Sequence, residues 1–439
     1  MRREADVLCL TQLHTLFEDV LPSWLATFKA ARGVNSRHCI YTPLVTFWAF
    51  LAQVLDPDGS CRRAVTRVQT LCSALGLALP GEDTGAYCVA RTRLPVRVLL
   101  KVLGFILARL GALPREGRRI VVIDGTSIRM PDSKDNAAEY SYTPNQKPGC
   151  GFPLMQLLGL FDLSTGAWLA SVKSKTKAHY ARLSWKMLKH LRAGDILLTD
   201  RAFCSYAFIV ACQRKGVDVV MRLHQARDPQ VGKGRRIGAG DWHITWSKPL
   251  QCAKGQHPAQ HAALPDTLPL RLVQVQSQAQ GFRTHDRKII TTLRDPAEHH
   301  AVKIAAWYQR RWQVELFFDD IKTSLGMDTL RCKTPHMIAR ELLMHMIAFN
   351  LVRHLIISAE PLRELEARDA LSFKGTKDRL DQWQWAIWSA PNARQARRRR
   401  DDLLQSIAND AVIKRPGRKE PRVCKDRQNK FTLMTKPRH

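Results

Sequence analysis

Across 439 residues the chain sets 69 Lys and Arg against 39 Asp and Glu, a formal charge of +30, and is 45% hydrophobic. The length predicts two or three domains, and the basic surplus calls for a polyanionic partner, nucleic acid ahead of a membrane surface. The longest clean apolar run, Leu44 to Leu55, is too short to span a bilayer, the start Met1-Arg-Arg-Glu-Ala-Asp6 lacks a signal peptide's uncharged core, and eleven cysteines without a CxxC pair read as reduced cytoplasmic thiols.

Residues 1–112 read as an all-helical domain. Apolar residues recur at helical spacing over 8–25, 44–55 and 96–110, separated by turn signals at Asp56-Pro-Asp-Gly-Ser60 and Leu79-Pro-Gly-Glu82. Near residue 118 the pattern changes. Arg119-Ile-Val-Val-Ile-Asp124 is β-branched and stops at Gly125, which predicts a buried strand. Residues 155–161 and 167–172 read as two more strands joined by a hairpin at Asp162-Leu-Ser-Thr-Gly166. A helix over 179–192, a strand over 195–200, a helix over 204–215 and a strand over 217–222 follow. The sum is a mixed α/β sandwich, first part at 113–223.

Residues 224–296 are rich in Gly, Pro, His and Gln, with strand-like pieces at Trp242-His-Ile-Thr-Trp246 and Leu270-Arg-Leu-Val-Gln-Val275. A structureless loop of that length is unusual, so a β-rich insertion is expected. Long helices are predicted over 298–325 and 335–357, within a segment 297–360 that completes the α/β domain. The region 361–439 is basic. Its last 46 residues carry 15 Lys or Arg and 5 Asp or Glu, with four arginines at Arg397 to Arg400. Pro416, Pro421 and Pro437 there argue for an irregular or DNA-contacting arm. A Walker loop, an HExxH pair and a dinucleotide fingerprint are all missing.

Three acids stand out. Asp124 and Asp200 each close a predicted buried strand, at the rim where ligands of α/β folds gather. Strand-end aspartates also commonly cap the next turn. On the helix over 298–325, Tyr308, Arg311, Glu315 and Lys322 fall at offsets 0, 3, 7 and 14, within an arc of roughly 60°. Carboxylates are hard ligands suited to Mg²⁺ or Mn²⁺, and two such ions about 4 Å apart would suit phosphoryl transfer. Cations on the same face make sense if they reach a phosphate, with Arg311 as a bidentate clamp.

Tyr308-x2-Arg311-x3-Glu315-x6-Lys322 resembles the Tyr-Arg-Glu-Lys signature of the IS-four class of bacterial DDE transposases. Asp124-Gly-Thr and Leu198-Thr-Asp200-Arg-Ala-Phe203 look like that family's first and second aspartate boxes. Asp58-Gly-Ser-Cys-Arg-Arg-Ala64 and Gly85-Ala-Tyr-Cys-Val-Ala-Arg-Thr-Arg-Leu94 look like its N-terminal domain, and Arg415-Pro-Gly-Arg418 with Glu420-Pro-Arg422 like its tail. The resemblance implies a ribonuclease-H-like catalytic domain interrupted by the insertion. It implies cut-and-paste transposition on double-stranded DNA, from terminal inverted repeats into a target, with two Mg²⁺ or Mn²⁺ ions held by Asp124, Asp200 and Glu315. It assigns Tyr308, Arg311 and Lys322 to phosphates. A dimer in a synaptic complex and a bacterial cytoplasmic, nucleoid-associated location are expected by analogy.

Other signals are weaker. Arg201 follows Asp200 and reads equally as a phosphate contact or an ion pair. The resemblance implies a tryptophan of the insertion that stacks a flipped base in some relatives, for which Trp242 and Trp246 are candidates, with insertion core the favoured account of either. His257-Pro-Ala-Gln-His261 reads as a loop, and Arg62, Arg63 and Arg67 as a helix face after an N-cap at Ser60. Two other functions share these features: a nuclease that cuts without joining, and a DNA-binding remnant that regulates transposition.

Overall fold

The computed structural model describes residues 16–17, 19–27, 40–113, 117–140, 142, 151–175, 180–224, 234–252, 258–277, 285–363 and 370–412. The expectations for the irregular tail beyond 412, for His257 and for half of the first helix over 8–25 lie outside the described residues.

After a 3₁₀ turn at Ser23–Thr27 come α1 (Pro43–Leu55), α2 (Cys61–Ala74), α3 (Gly85–Arg93) and α4 (Val96–Gly111). Local chemistry sets the starts. Thr42 accepts from the Val45 amide, with Pro43 in the first turn, where its missing N–H costs nothing. Ser60 caps α2 by accepting from the Arg63 amide. The basic face of α2 is partly spoken for: Arg63 and Arg67 pair with Asp56 at 3.0 and 3.3 Å, and Arg67 reaches Asp381 at 3.3 Å.

The sheet is built from β1 (Ile120–Arg129), β2 (Leu154–Asp162), β3 (Trp168–Lys175), β4 (Ile196–Thr199), β5 (Asp218–Arg222), β6 (Arg235–Gly238), β7 (Asp241–Ser247), β8 (Thr267–Ser277) and β9 (His285–Thr291). Its order is β3-β2-β1-β4-β5-β9-β8-β7-β6. β1, β4 and β5 are parallel neighbours, and β2 and β3 form the expected antiparallel hairpin. The strands of 224–296 do not form a separate layer. β9 pairs with β5 antiparallel, Met221 opposite Ile290, so the insertion prolongs the same sheet. The fold is therefore mixed α/β around one large sheet.

Interspersed are α5 (Lys134–Glu139), α6 (Tyr180–Met187), α7 (Tyr206–Arg214) and α8 (Pro258–Ala262). α8 corrects the loop reading, because Pro258 opens a short helix, the one helical position where proline fits. His261 there meets the Pro249 carbonyl at 2.9 Å. Val121, Ile123, Leu197, Val219 and Met221 from the strands bury against Leu183, Phe208 and Ile209 from the helices. Trp246 is 8% exposed and packs edge-on to Tyr206 at 5.8 Å, as insertion core would. In the same unit Arg271 forks onto Asp241 at 2.8 and 2.6 Å, and its third nitrogen donates to the His299 carbonyl at 2.5 Å.

The chain ends with α9 (Ala301–Arg310), α10 (Gln313–Asp319), a π turn at Asp320–Ser324, α11 (Pro335–Ala359), α12 (Phe373–Trp388) and α13 (Ala393–Ala408). Two expectations change here. The predicted helix over 298–325 breaks at Arg311–Trp312, where the amides of Arg311, Val314 and Glu315 bond three residues back, and it relaxes to π spacing from Asp320. The four arginines lie in α13, an ordered helix whose Asn392 cap accepts from the Gln395 amide. Its burial of Leu403, Leu404 and Ile407 outweighs the charge run that suggested an irregular arm. The segment Pro335–Leu362 is also long and apolar enough to cross a membrane, but 78% of its apolar window is buried within the fold. Interruption by Arg340, Glu341, His345 and Arg353 hid it from a search for clean apolar runs.

Contacts divide the chain into two compact units: Met1–Leu113 with Ile128–Leu154 and Asp319–His439, and Pro114–Ser127 with Met155–Phe318.

Candidate active site

Asp124 and Asp200 are brought together by register. β1 and β4 pair in parallel as Ile120 with Ile196, Val121 with Leu197 and Val122 with Leu198. Asp124 and Asp200 each follow that last pair by two residues, and the charge of Asp200 is felt at Asp124. Both lie just past the end of the paired ladder. β1 does not stop at Asp124 as expected; it runs on to Arg129.

The capping account fits the two aspartates unequally. Asp124 Oδ1 accepts from the Gly125 amide at 2.8 Å. Asp200 precedes a 3₁₀ turn, Arg201–Phe203, yet its side chain makes no capping bond. Arg201 is exposed at the head of that turn.

Glu315 stands in the first turn of α10 with its side chain 64% exposed. Between it and Asp124 lies Arg311, at the break between α9 and α10. Arg311 Nη1 is 3.3 Å from Asp124 Oδ2, and Nη2 is 3.2 Å from Glu315 Oε1. Burial pushes the Asp124 carboxyl above the usual range; the Gly125 amide and Arg311 oppose this, while the charges of Asp200 and Glu315 add to it. The three acids therefore feel one another. Burial alone would lower the Arg311 guanidinium, but Tyr308, Asp124, Asp200 and the bond to Glu315 together raise it.

Tyr308, in α9, is 4% exposed. Burial pushes its phenol up to about 12, with Asp200 adding and Arg311, Arg222 and Arg287 opposing. Lys322 sits in the π turn and belongs to the other compact unit, 3.9 Å from Asp328. Burial lowers its ammonium, Asp328 opposing and Arg129 reinforcing. The spacing changes between the two residues, Glu315 standing in α geometry and Lys322 in π geometry.

Sequence reasoning missed three contributors. Tyr180, at the start of α6, lies so close over Gly125 that a Cβ there would sit 2.3 Å from its ring. Its phenol is raised by burial, lowered by Ser127 and raised again by Asp124. The glycine after Asp124 was the available signal, a close approach rather than only a turn. Arg222, closing β5, and Arg287, on β9, add positive charge near Tyr308, and their convergence depends on the β5–β9 pairing.

Asp124, Asp200 and Glu315 are hard oxygen donors of the type magnesium and manganese prefer. Among the described residues no three acidic, His or Cys side chains are drawn together tightly enough to cage a metal. In this structure the guanidinium of Arg311 holds the place between two of the acids.

The model of the transposase DDE domain matches residues 115–351. The chain is 24% identical over 327 residues to the transposase InsG for insertion sequence element IS4 of Escherichia coli, covering 73% of this chain and 70% of that protein. It is 28% identical over 167 residues to a protein of Sinorhizobium fredii named "Putative transposase y4zB", covering 37% of this chain and 43% of that one.

Proposed function

Because this chain belongs to the IS4-family DDE transposases, we propose that it cleaves DNA at the ends of an insertion sequence and joins the freed strand to target DNA by cut-and-paste transposition. What supports the reading is Arg311 held between Asp124 and Glu315, within reach of the Asp200 charge, at the end of a parallel ladder.

The matched domain, 115–351, is then a ribonuclease-H-like catalytic domain with its β-rich insertion at 224–296, preceded by a helical domain over 1–112 that meets the element's ends. Asp124, Asp200 and Glu315 would hold the divalent ions, magnesium or manganese. When bound, these ions would polarise the scissile phosphate and make water or a 3′-hydroxyl a better nucleophile. Their charge would also offset the burial, and after it the acidic neighbours, that raise Asp124.

The chain's own residues supply the rest. Arg311 favours the charged form of Asp124 and pairs with Glu315. When phosphate arrives, its planar fork can exchange a carboxylate for two phosphate oxygens. Tyr308, with its phenol protonated throughout the neutral range, can donate its O–H to a phosphate oxygen, and the cations Arg311, Arg222 and Arg287 act on it. These guanidiniums form the basic wall expected to hold the DNA strand; Arg201 and Lys322 are further candidates to bind phosphate. The partner is double-stranded DNA, terminal repeats and target alike, bound by a dimer in a bacterial nucleoid.

The test is cleavage of a plasmid carrying the element's own ends. With Mg²⁺ or Mn²⁺ the wild-type protein should release the element, and precut ends should join to target. Asp200→Asn should bind the ends and leave them uncut. Cleavage by that variant at wild-type rate would defeat the reading. Cutting without joining would leave a nuclease.

A further inference from the structure

Two sequence motifs outside the acidic site, Asp58 to Ala64 and Gly85 to Leu94, meet at a pair of sulfurs. Cys61 opens α2 and Cys88 lies in α3, and their Sγ atoms are 3.8 Å apart, at van der Waals contact. One guanidinium serves both: Arg91 Nη2 is 3.2 Å from Cys61 Sγ and 3.4 Å from Cys88 Sγ. Arg91 is itself fixed. It is 7% exposed, its carbon lies 5.1 and 5.0 Å from the Phe50 and Tyr87 ring centres, and its Nη1 donates to Gln53 Oε1 at 3.2 Å. Gln53 in turn donates to Cys61 Sγ at 3.6 Å.

We propose that Cys61 and Cys88 are an oxidisable dithiol, closed by peroxides to a disulfide that ties the start of α2 to α3. Neither sulfur has a part in the acidic site. Both are half-buried, so a small oxidant can reach them, unlike Cys72, Cys204, Cys212 and Cys332, which are buried. A disulfide needs about 2.05 Å between sulfurs, so rotation about the two Cα–Cβ bonds has under 2 Å to close. Arg91 favours the thiolate, the reactive form.

The chemistry balances with hydrogen peroxide as oxidant. One thiolate attacks a peroxide oxygen; an S–O bond forms, the O–O bond breaks, and hydroxide leaves and takes up a proton. The second thiolate attacks the resulting sulfenic sulfur; the S–S bond forms, and the S–O bond breaks with loss of water. Two thiols and one peroxide give one disulfide and two waters. Burial raises the Cys61 thiol above its ordinary value, with Arg91 opposing and Cys88 reinforcing, so closure should quicken as pH rises from 7 to 9.

The test treats the reduced full-length protein with hydrogen peroxide, alkylates the remaining thiols and maps the digest by mass. The expected product is a Cys61–Cys88 linked peptide, two hydrogens lighter than the reduced pair and restored by dithiothreitol. In the Cys88→Ser protein, Cys61 should instead be trapped by dimedone as the sulfenic acid. Recovery of Cys61 and Cys88 both alkylated after other thiols have reacted would overturn the proposal. Pairing of either with Cys332, or only between chains, would overturn it too.

Discussion

Arg311 donates from Nη1 to Asp124 Oδ2 across 3.3 Å while its Nη2 holds Glu315 at 3.2 Å. One cation thus stands between two acids assigned to metal. Arg311→Ala should tighten Mn²⁺ binding by the DNA-free protein, because the competing positive charge is gone. The same change should slow cleavage by about 10²-fold or more, the scale for loss of one preorganised phosphate contact. Paramagnetic titration of Mn²⁺ reads the first effect. An unchanged metal affinity would show that the guanidinium does not compete.

Glu315 is mostly solvent-exposed, so Glu315→Gln should leave the unfolding midpoint unchanged and still abolish cleavage. Equal loss of stability and activity would mean that Glu315 acts structurally. Thermal melting beside a plasmid assay separates the two.

Gly125→Ala would push a methyl into the Tyr180 ring, 2.3 Å from its nearest carbon. Displacing that ring should cost about 1–3 kcal/mol of stability. The Gly125→Ala/Tyr180→Ala double variant should recover part of it. No recovery would place the strain in the backbone rather than at the ring.

His345, in α11, is 5% exposed, and burial pushes its imidazole down to about 3. In the unfolded chain it takes up a proton near pH 6.5. A depressed folded value means that stability is complete above the unfolded pKa and declines as pH falls toward the folded one. Unfolding free energy should drop by about 2 kcal/mol between pH 7 and pH 5 from this side chain alone. Urea titrations of His345→Gln should show that decrement missing.

The Arg271–Asp241 fork is buried on both sides, 1% and 7% exposed. Asp241→Ala should cost about 3–5 kcal/mol by stranding a buried guanidinium. Arg271→Met/Asp241→Leu should be far less harmful. Chemical denaturation of the three proteins checks this, and equal damage from both would mean that the Arg271 bond to the His299 carbonyl dominates.

Much of the sheet was legible in the chain. The apolar runs before Asp124 and Asp200 are β1 and β4, and the Asp162 to Gly166 turn joins β2 to β3. What escaped notice depended on distant partners. Periodicity continues straight through Arg311 and Trp312, so the break there is invisible to it. Nothing local distinguishes Tyr180 as a neighbour of Asp124, and Arg222 and Arg287 approach Tyr308 only because β9 pairs with β5. The arginine run at 397–400 was misread because its charge was counted and the apolar stripe at Leu403, Leu404 and Ile407 was not. The two aspartates were found, yet their adjacency follows from a pairing that no residue type announces.

That pairing has a consequence for how the protein can vary. A slip of β4 by one residue would turn Asp200 to the opposite side of the sheet, whereas lengthening the hairpin or the connections between Arg129 and Ile196 would leave the ladder in step. Descendants of this chain are free to drift in the distance that separates the two acids along the polypeptide. What they must conserve is parity: Ile120 across from Ile196, and every place above it counted in equal strides on both strands.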